Sequence, residues 1–181
     1  RVRYTDDTAV NNLEIGGRNL LLDSKFIVGD TEAKNWQRTG YNTVSIVEGV
    51  ARYTVSNAAG AGRLERVISL EKGVYTVSIK AKTNAAPFDW SMHSLVNAQV
   101  ISEQRQLITD NFSILKWTFE VPATASVTLR LYYGVSLQIN EYIDVEWYKL
   151  EKGNKATDWT PAPEDQVSDW NETDVNSFAF I

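Results

Sequence analysis

The chain has 181 residues, 43% of them hydrophobic, a formal net charge of −5 and no cysteine. That length allows one well-buried domain with extensions, the missing cysteines exclude a disulfide framework and a thiolate metal site, and an acidic chain without a Lys/Arg cluster has no footprint for a nucleic-acid backbone. The longest leading apolar run, Asn19-Leu20-Leu21-Leu22, is far shorter than the roughly 18 residues of a membrane-spanning helix, so neither nucleic acid nor membrane is an expected partner.

Residues 1–17 mix Asp6, Asp7, Asn11, Asn12, Gly16 and Gly17 with isolated apolar residues in neither helical nor strand period, which reads as a linker or N-terminal arm. Strands follow: Tyr41 to Val47, Val50 to Val55, Arg63 to Leu70, Val74 to Lys82, Phe88 to His93, Leu115 to Val121, Ser126 to Tyr133 and Tyr142 to Leu150 all favour β-branched and aromatic residues in period-two alternation. Their separators, such as Glu48-Gly49, Glu71-Lys72-Gly73 and Pro122-Ala123-Thr124, are short and turn-like, which suits antiparallel hairpins and not βαβ crossovers. Asn97 to Asn111 reads equally as two weak strands or as a loop with a helical turn. After Leu150 the turn chemistry of Lys152-Gly153-Asn154 ends the alternation, Trp159 is apolar enough to tuck back, and Pro161 and Pro163 forbid further ladder pairing. The expectation is an all-β antiparallel sandwich over 18–165, with extended N- and C-terminal segments and a connector over 166–181 whose Trp170, Phe178 and Phe180 need cover.

Alternation assigns faces. Tyr75, Val77, Ile79 and Ala81 share a dry face and Thr76, Ser78, Lys80 and Lys82 a wet one; Trp117 and Phe119 point to the core. Arg130 and Tyr132 project together from the opposite side to Val127, Leu129 and Leu131. In Phe88 to His93, Trp90 is either a core residue, with Asp89, Ser91 and His93 outward, or an exposed platform at a bulge. Trp36, with Tyr41 nearby, lies in a polar loop as a lid over a sheet edge or as a ligand contact. His93, the sole histidine, is either satisfied by its neighbours or a hydrogen-bonding group in a ligand site.

The stretch Lys149-Leu150-Glu151-Lys152-Gly153, with Ala156-Thr157-Asp158-Trp159 and Pro161-Ala162-Pro163-Glu164-Asp165, resembles the segment closing carbohydrate-binding modules in tail and baseplate proteins of phages of Gram-positive bacteria. Gly17-Arg18-Asn19-Leu20-Leu21, Gly73 to Lys82 and Tyr142-Ile143-Asp144-Val145 extend the resemblance over most of the chain. It implies a galactose-binding-like jelly roll in the virion, acting at the bacterial surface, with host cell-wall polysaccharide, other baseplate or tail proteins and further copies of itself as partners. It also implies a possible structural calcium with Asp144 among its ligands, against the alternative that Asp144 is paired locally.

One histidine excludes a multi-His zinc centre, and no Gly-x-Ser-x-Gly or P-loop pattern is present. Hydrolysis by a carboxylate pair needs only two of the 23 acidic residues, and composition leaves it open; the function that the resemblance implies is non-catalytic saccharide binding. Flat apolar surfaces and neighbouring polar side chains suit pyranose rings, and the candidates on chemistry and face are Trp36, Tyr41, Trp90, His93, Arg130 and Tyr132. The alternatives are a structural docking or spacer module of the baseplate and a binding module of a cell-wall hydrolase.

Overall fold

Apolar residues at alternate positions bury one side of each strand: in Ser113–Val121, Leu115, Trp117, Phe119 and Val121 are buried and Lys116 and Glu120 exposed. The structure, a computed structural model, describes residues 17–25, 36–39, 42–56, 62–133 and 137–165; the arm before Gly17, Tyr41 and the connector after Asp165 lie outside the described residues. Among the described residues ten strands form: β1 (Gln37–Thr39), β2 (Asn42–Val47), β3 (Val50–Val55), β4 (Gly62–Leu70), β5 (Gly73–Thr83), β6 (Phe88–Val96), β7 (Gln99–Ile108), β8 (Ser113–Val121), β9 (Ala125–Tyr133) and β10 (Tyr142–Lys152). They pair antiparallel in two five-stranded sheets, β1-β4-β9-β6-β7 and β2-β3-β10-β5-β8, whose inner faces enclose one core, a β-sandwich.

Aromatic residues organise that core. Trp36 stacks on Tyr148 with ring centroids 4.4 Å apart, Trp90 meets Trp117 edge-on at 6.0 Å, and Tyr75 lies over Phe119 at 5.9 Å. Tyr53 and Tyr148 join their hydroxyls at 2.9 Å, which keeps two phenols satisfied inside an apolar interior.

The segment 97–111, left open between strands and helical turn, forms β7, a ten-residue edge strand. Its alternation is polar because it closes a side of the sandwich instead of covering the core. The side-chain amide of Gln104 donates to the Thr118 carbonyl and accepts from the Thr118 N–H at 3.3 Å, and Gln106 does the same with Lys116, whose N–H it accepts at 2.9 Å. Two glutamines thus stand in for a neighbouring strand along the edge of β8.

The opposite edge problem sits on β10. A bulge lies between Val145 and Trp147, and β3 pairs with β10 only as far as Val145. Beyond it the N-terminal segment takes over: Tyr148 N–H donates to Ser24 O and Leu20 N–H to Leu150 O, each at 2.8 Å, and Lys25 bridges Trp147. Asn19, fully buried, completes the ladder with its side chain. Its Oδ1 accepts from Leu150 N at 3.2 Å and Leu21 N at 3.1 Å, while Nδ2 donates to Ser24 Oγ at 2.8 Å and to Thr160 O at 3.0 Å.

The bulge also turns Trp147, Lys149 and Glu151 outward, where residues 153–162 cover them. Lys149 and Glu151 have no solvent exposure. The Lys149 ammonium donates to Thr157 Oγ1 at 2.7 Å and Asp158 O at 2.6 Å, and Glu151 accepts from Thr157 N at 2.8 Å and Thr157 Oγ1 at 2.7 Å. Trp159 lies beside Trp147, ring centroids 6.5 Å apart, and donates to Ser24 Oγ at 3.2 Å. The same cover buries Thr76, which donates to Gly153 O at 2.8 Å, and Ser78; this side of β5, expected to be wet, is dry over half its length because the chain folds back across it.

Replacing Asn19 with alanine strands several buried backbone groups at ~1–3 kcal/mol each. Asn19→Ala is expected to lower the unfolding free energy by at least about 3 kcal/mol in urea titrations, while Asn111→Ala, in an exposed turn, changes it by less than about 0.5 kcal/mol.

Candidate functional site

Directly opposite residues on antiparallel strands point to the same side, so register alone brings side chains together on the outer face of β1-β4-β9-β6-β7. Glu65 on β4 lies opposite Arg130 on β9, Arg130 opposite His93 on β6, and His93 opposite Glu103 on β7. The neighbouring row is Arg63, Tyr132, Ser91 and Arg105. Gln37 of β1 sits opposite Glu65 at one end. The rows run across four strand-to-strand gaps, roughly 19 Å at ~4.8 Å each.

The charges on this face alternate and meet. Arg130 Nε donates to Glu65 Oε1, which Arg63 Nε also approaches at 3.3 Å. Arg105 reaches Glu103 at 3.0 Å, and His93 Nε2 lies 3.8 Å from the same carboxylate. His93 and Tyr132 stack with centroids 5.9 Å apart and planes 10° from parallel. A guanidinium held by one carboxylate keeps further N–H groups for a ligand, and each carboxylate keeps acceptor sites. Vicinal hydroxyls or an amide can be grasped by such a surface.

Three of the sequence candidates, His93, Arg130 and Tyr132, therefore converge, while the others part from them. Trp90 is completely buried against Trp117, and Trp36, at 7% exposure, stacks on Tyr148. Both indoles belong to the core, so neither offers a face to a saccharide: parity turns Trp90 inward with Met92, and Trp36 packs on Tyr148 within the core cluster. Tyr41 lies outside the described residues. Asp144 sits on the other sheet, where Arg52 takes both its oxygens at 2.8 Å and rests on the Tyr142 ring at 3.8 Å. That hydrogen bond holds the Arg52 guanidinium above its ordinary pKa. Asp144 is thus paired locally and does not fit a calcium cage, and no group of three acidic or histidine side chains among the described residues could hold a metal ion.

Arg63, Glu65, Glu103 and Arg105 were not singled out by the sequence, and Ser91 was read only as outward-facing. Parity places Arg63 and Glu65 outward on β4, but only the strand order, with β9 between β4 and β6, makes them neighbours of Arg130 and His93.

No protein-family profile and no curated protein sequence matches the chain. Solved structures do match in fold. TmCBM61, in complex with β-1,4-galactotriose, aligns with a TM-score of 0.59 at 12% identity, covering 75% of this chain and 99% of that one. The CBM22-1 xylan-binding domain of Paenibacillus barcinonensis Xyn10C aligns with a TM-score of 0.56 at 11% identity, covering 77% and 99%. The second N-terminal cellulose-binding domain of Cellulomonas fimi β-1,4-glucanase C gives 0.56 at 15%, covering 76% and 96%. This chain thus has the β-sandwich fold of carbohydrate-binding modules of the jelly-roll type.

Truncating a core tryptophan and an open-face arginine should separate stability from surface chemistry. Trp90→Ala is expected to cost about 3–5 kcal/mol of unfolding free energy, and Arg105→Ala, whose side chain is 65% exposed, less than about 0.5 kcal/mol, both read from urea denaturation followed by tryptophan fluorescence.

Proposed function

We propose that this β-sandwich is a non-catalytic carbohydrate-binding module of a phage tail or baseplate protein, and that it holds polysaccharide of the Gram-positive cell surface on the outer face of β4, β9, β6 and β7. The observation that carries the reading is the band of Glu65, Arg130, His93 and Glu103 beside Tyr132, partly exposed at Glu65, Arg130, His93 and Tyr132 and exposed at Glu103. It lies on a fold shared with modules named for galactotriose, xylan and cellulose. The Lys149 to Asp165 resemblance supports the virion setting. A shallow face on a sandwich buries little ligand surface, so single sites bind weakly and many copies on one particle supply avidity.

One observation favours a second reading, a docking or spacer module. On the outer face of the other sheet, Phe112 and Ile114 are exposed, with Lys82 4.7 Å and Lys80 5.7 Å from the Phe112 ring centroid. An apolar patch with a cationic rim suits a protein neighbour.

Fluorescently labelled protein, clustered to raise avidity, should label intact Gram-positive cells and fail to label cells stripped of wall polysaccharide. Tyr132→Ala and Arg130→Ala should each reduce labelling severalfold at unchanged melting temperature. Absence of labelling on every cell tested would transfer the weight to the docking module.

A further inference from the structure

An open sheet edge presents unpaired N–H and C=O groups to any strand that reaches it, and such edges are normally kept short, charged, bulged or covered. The two sheets end at β1 and β7 and at β2 and β8. β1 is three residues long. The edge of β8 is taken by the side-chain amides of Gln104 and Gln106, and β7, which supplies them, also carries Glu103 and Arg105. β2 is treated differently. Its residues, Asn42-Thr43-Val44-Ser45-Ile46-Val47, include no charge and no proline, its register against β3 runs without a shift, and among the described residues β3 is its only ladder partner.

The hairpin turn tells which backbone groups of β2 are left over. Val47 pairs with Val50 across Glu48-Gly49, both of positive φ, 52° and 76°. A two-residue turn of this kind is closed by a hydrogen-bonded pair, and such pairs recur at every second residue. Val47, Ser45 and Thr43 therefore bond to β3, and the backbone groups of Val44 and Ile46 point to the open edge. The side chains are incomplete in the same place: Val44 and Ile46 pack against the core and are only partly buried, while Thr43, Ser45 and Val47 are exposed on the outer face.

We propose that the edge of β2 is a strand-addition site and that its occupant is β2 of a second copy, related by a two-fold axis passing beside Ser45. The strand is its own complement. Centring on Ser45 pairs every residue from Thr43 to Val47 and sets Val44 opposite Ile46 of the second copy, so that the leftover backbone groups of both strands meet in antiparallel register. The two side chains of that pair lie on the same, core-facing side, and each supplies the apolar neighbour that the other lacks at the edge. Thr43 meets Val47 on the outer face, and no like charges stand opposite each other between Thr43 and Val47. A slip of one residue would set Val44 against Ser45, whose backbone groups are already bonded to β3. The axis runs across the sheets, so both copies turn the outer face of β4, β9, β6 and β7 to one side. On the saccharide reading the pair is then bivalent, but the pairing itself does not depend on that reading.

The chain has no cysteine, so Ser45→Cys and Thr43→Cys each introduce a lone thiol on the exposed side of β2, and the pair of variants reads the register. In the proposed dimer the two Ser45 positions face each other with Cα atoms ~4.5 Å apart, within disulfide range, whereas the two Thr43 positions are offset by about 13 Å along the strands. In oxidised glutathione, Ser45→Cys is expected to form a covalent dimer at least about tenfold faster than Thr43→Cys. Sedimentation of the unmodified chain from about 1 to 100 µM is expected to show a mass rising to twice that of one chain. Ser45→Glu, which sets two carboxylates face to face in the dimer, should abolish that rise at unchanged melting temperature. Equal cross-linking of the two thiols, a mass that stays at one chain over the whole range, or a dimer that persists in Ser45→Glu overturns the proposal, and each of these leaves the saccharide reading to the whole-cell labelling experiment.

Discussion

The exposed ladder edge of β10 past its bulge is the constraint on which the rest of the molecule depends. Backbone N–H and C=O groups inside a sandwich must be paired, yet β3 leaves β10 at Val145. Asn19 resolves this with one side chain, accepting from Leu150 N and donating to Ser24 and to Thr160 O. Because Thr160 follows β10 and Ser24 also receives Trp159, Asn19 ties the segment before β1 to the segment after β10. Asp165, accepting from Asp23 N at 3.0 Å, extends that joint, so the two ends of the sandwich leave side by side.

This joint sets the two outer faces apart. The bulge reverses the parity of β10, turning Trp147, Lys149 and Glu151 away from the core and under residues 153–162. The buried Lys149–Glu151 pair tolerates that position because Thr157 and the Asp158 carbonyl satisfy both partners. Half of one sheet is thereby covered by the chain's own return. The side chains proposed to meet a ligand lie on the outer face of the other sheet. The Lys149 to Trp159 motif is thus a lock, and the residues proposed to touch saccharide lie on the opposite side of the sandwich.

What alternation could reveal, it revealed. The inward turn of Trp117 and Phe119 and the shared outward face of Arg130 and Tyr132 follow from period two on a single strand. What it could not reveal depends on which strands are neighbours. That His93 falls opposite Arg130 and Glu103, and Glu65 opposite Arg130, is a matter of strand order and register. β7 was ambiguous because its Gln104 and Gln106 bond to backbone across the sandwich edge instead of filling the core. Thr76 and Ser78 have the composition of a wet face and are buried because a distant part of the chain lies on them. Trp36 sits among polar residues in sequence, and its contact with Tyr148 joins positions more than a hundred residues apart.

Backbone amide shifts of the ¹⁵N-labelled protein, titrated with soluble wall polysaccharide from Gram-positive cells, test the central claim most directly. The account places the perturbed amides in the rows of β4, β9, β6 and β7, at Glu65, Arg130, Tyr132, His93 and Glu103, with Trp90 and the Lys149–Trp159 lock unmoved. Perturbation centred on Phe112 and Ile114, or none at saturating polysaccharide, would contradict it.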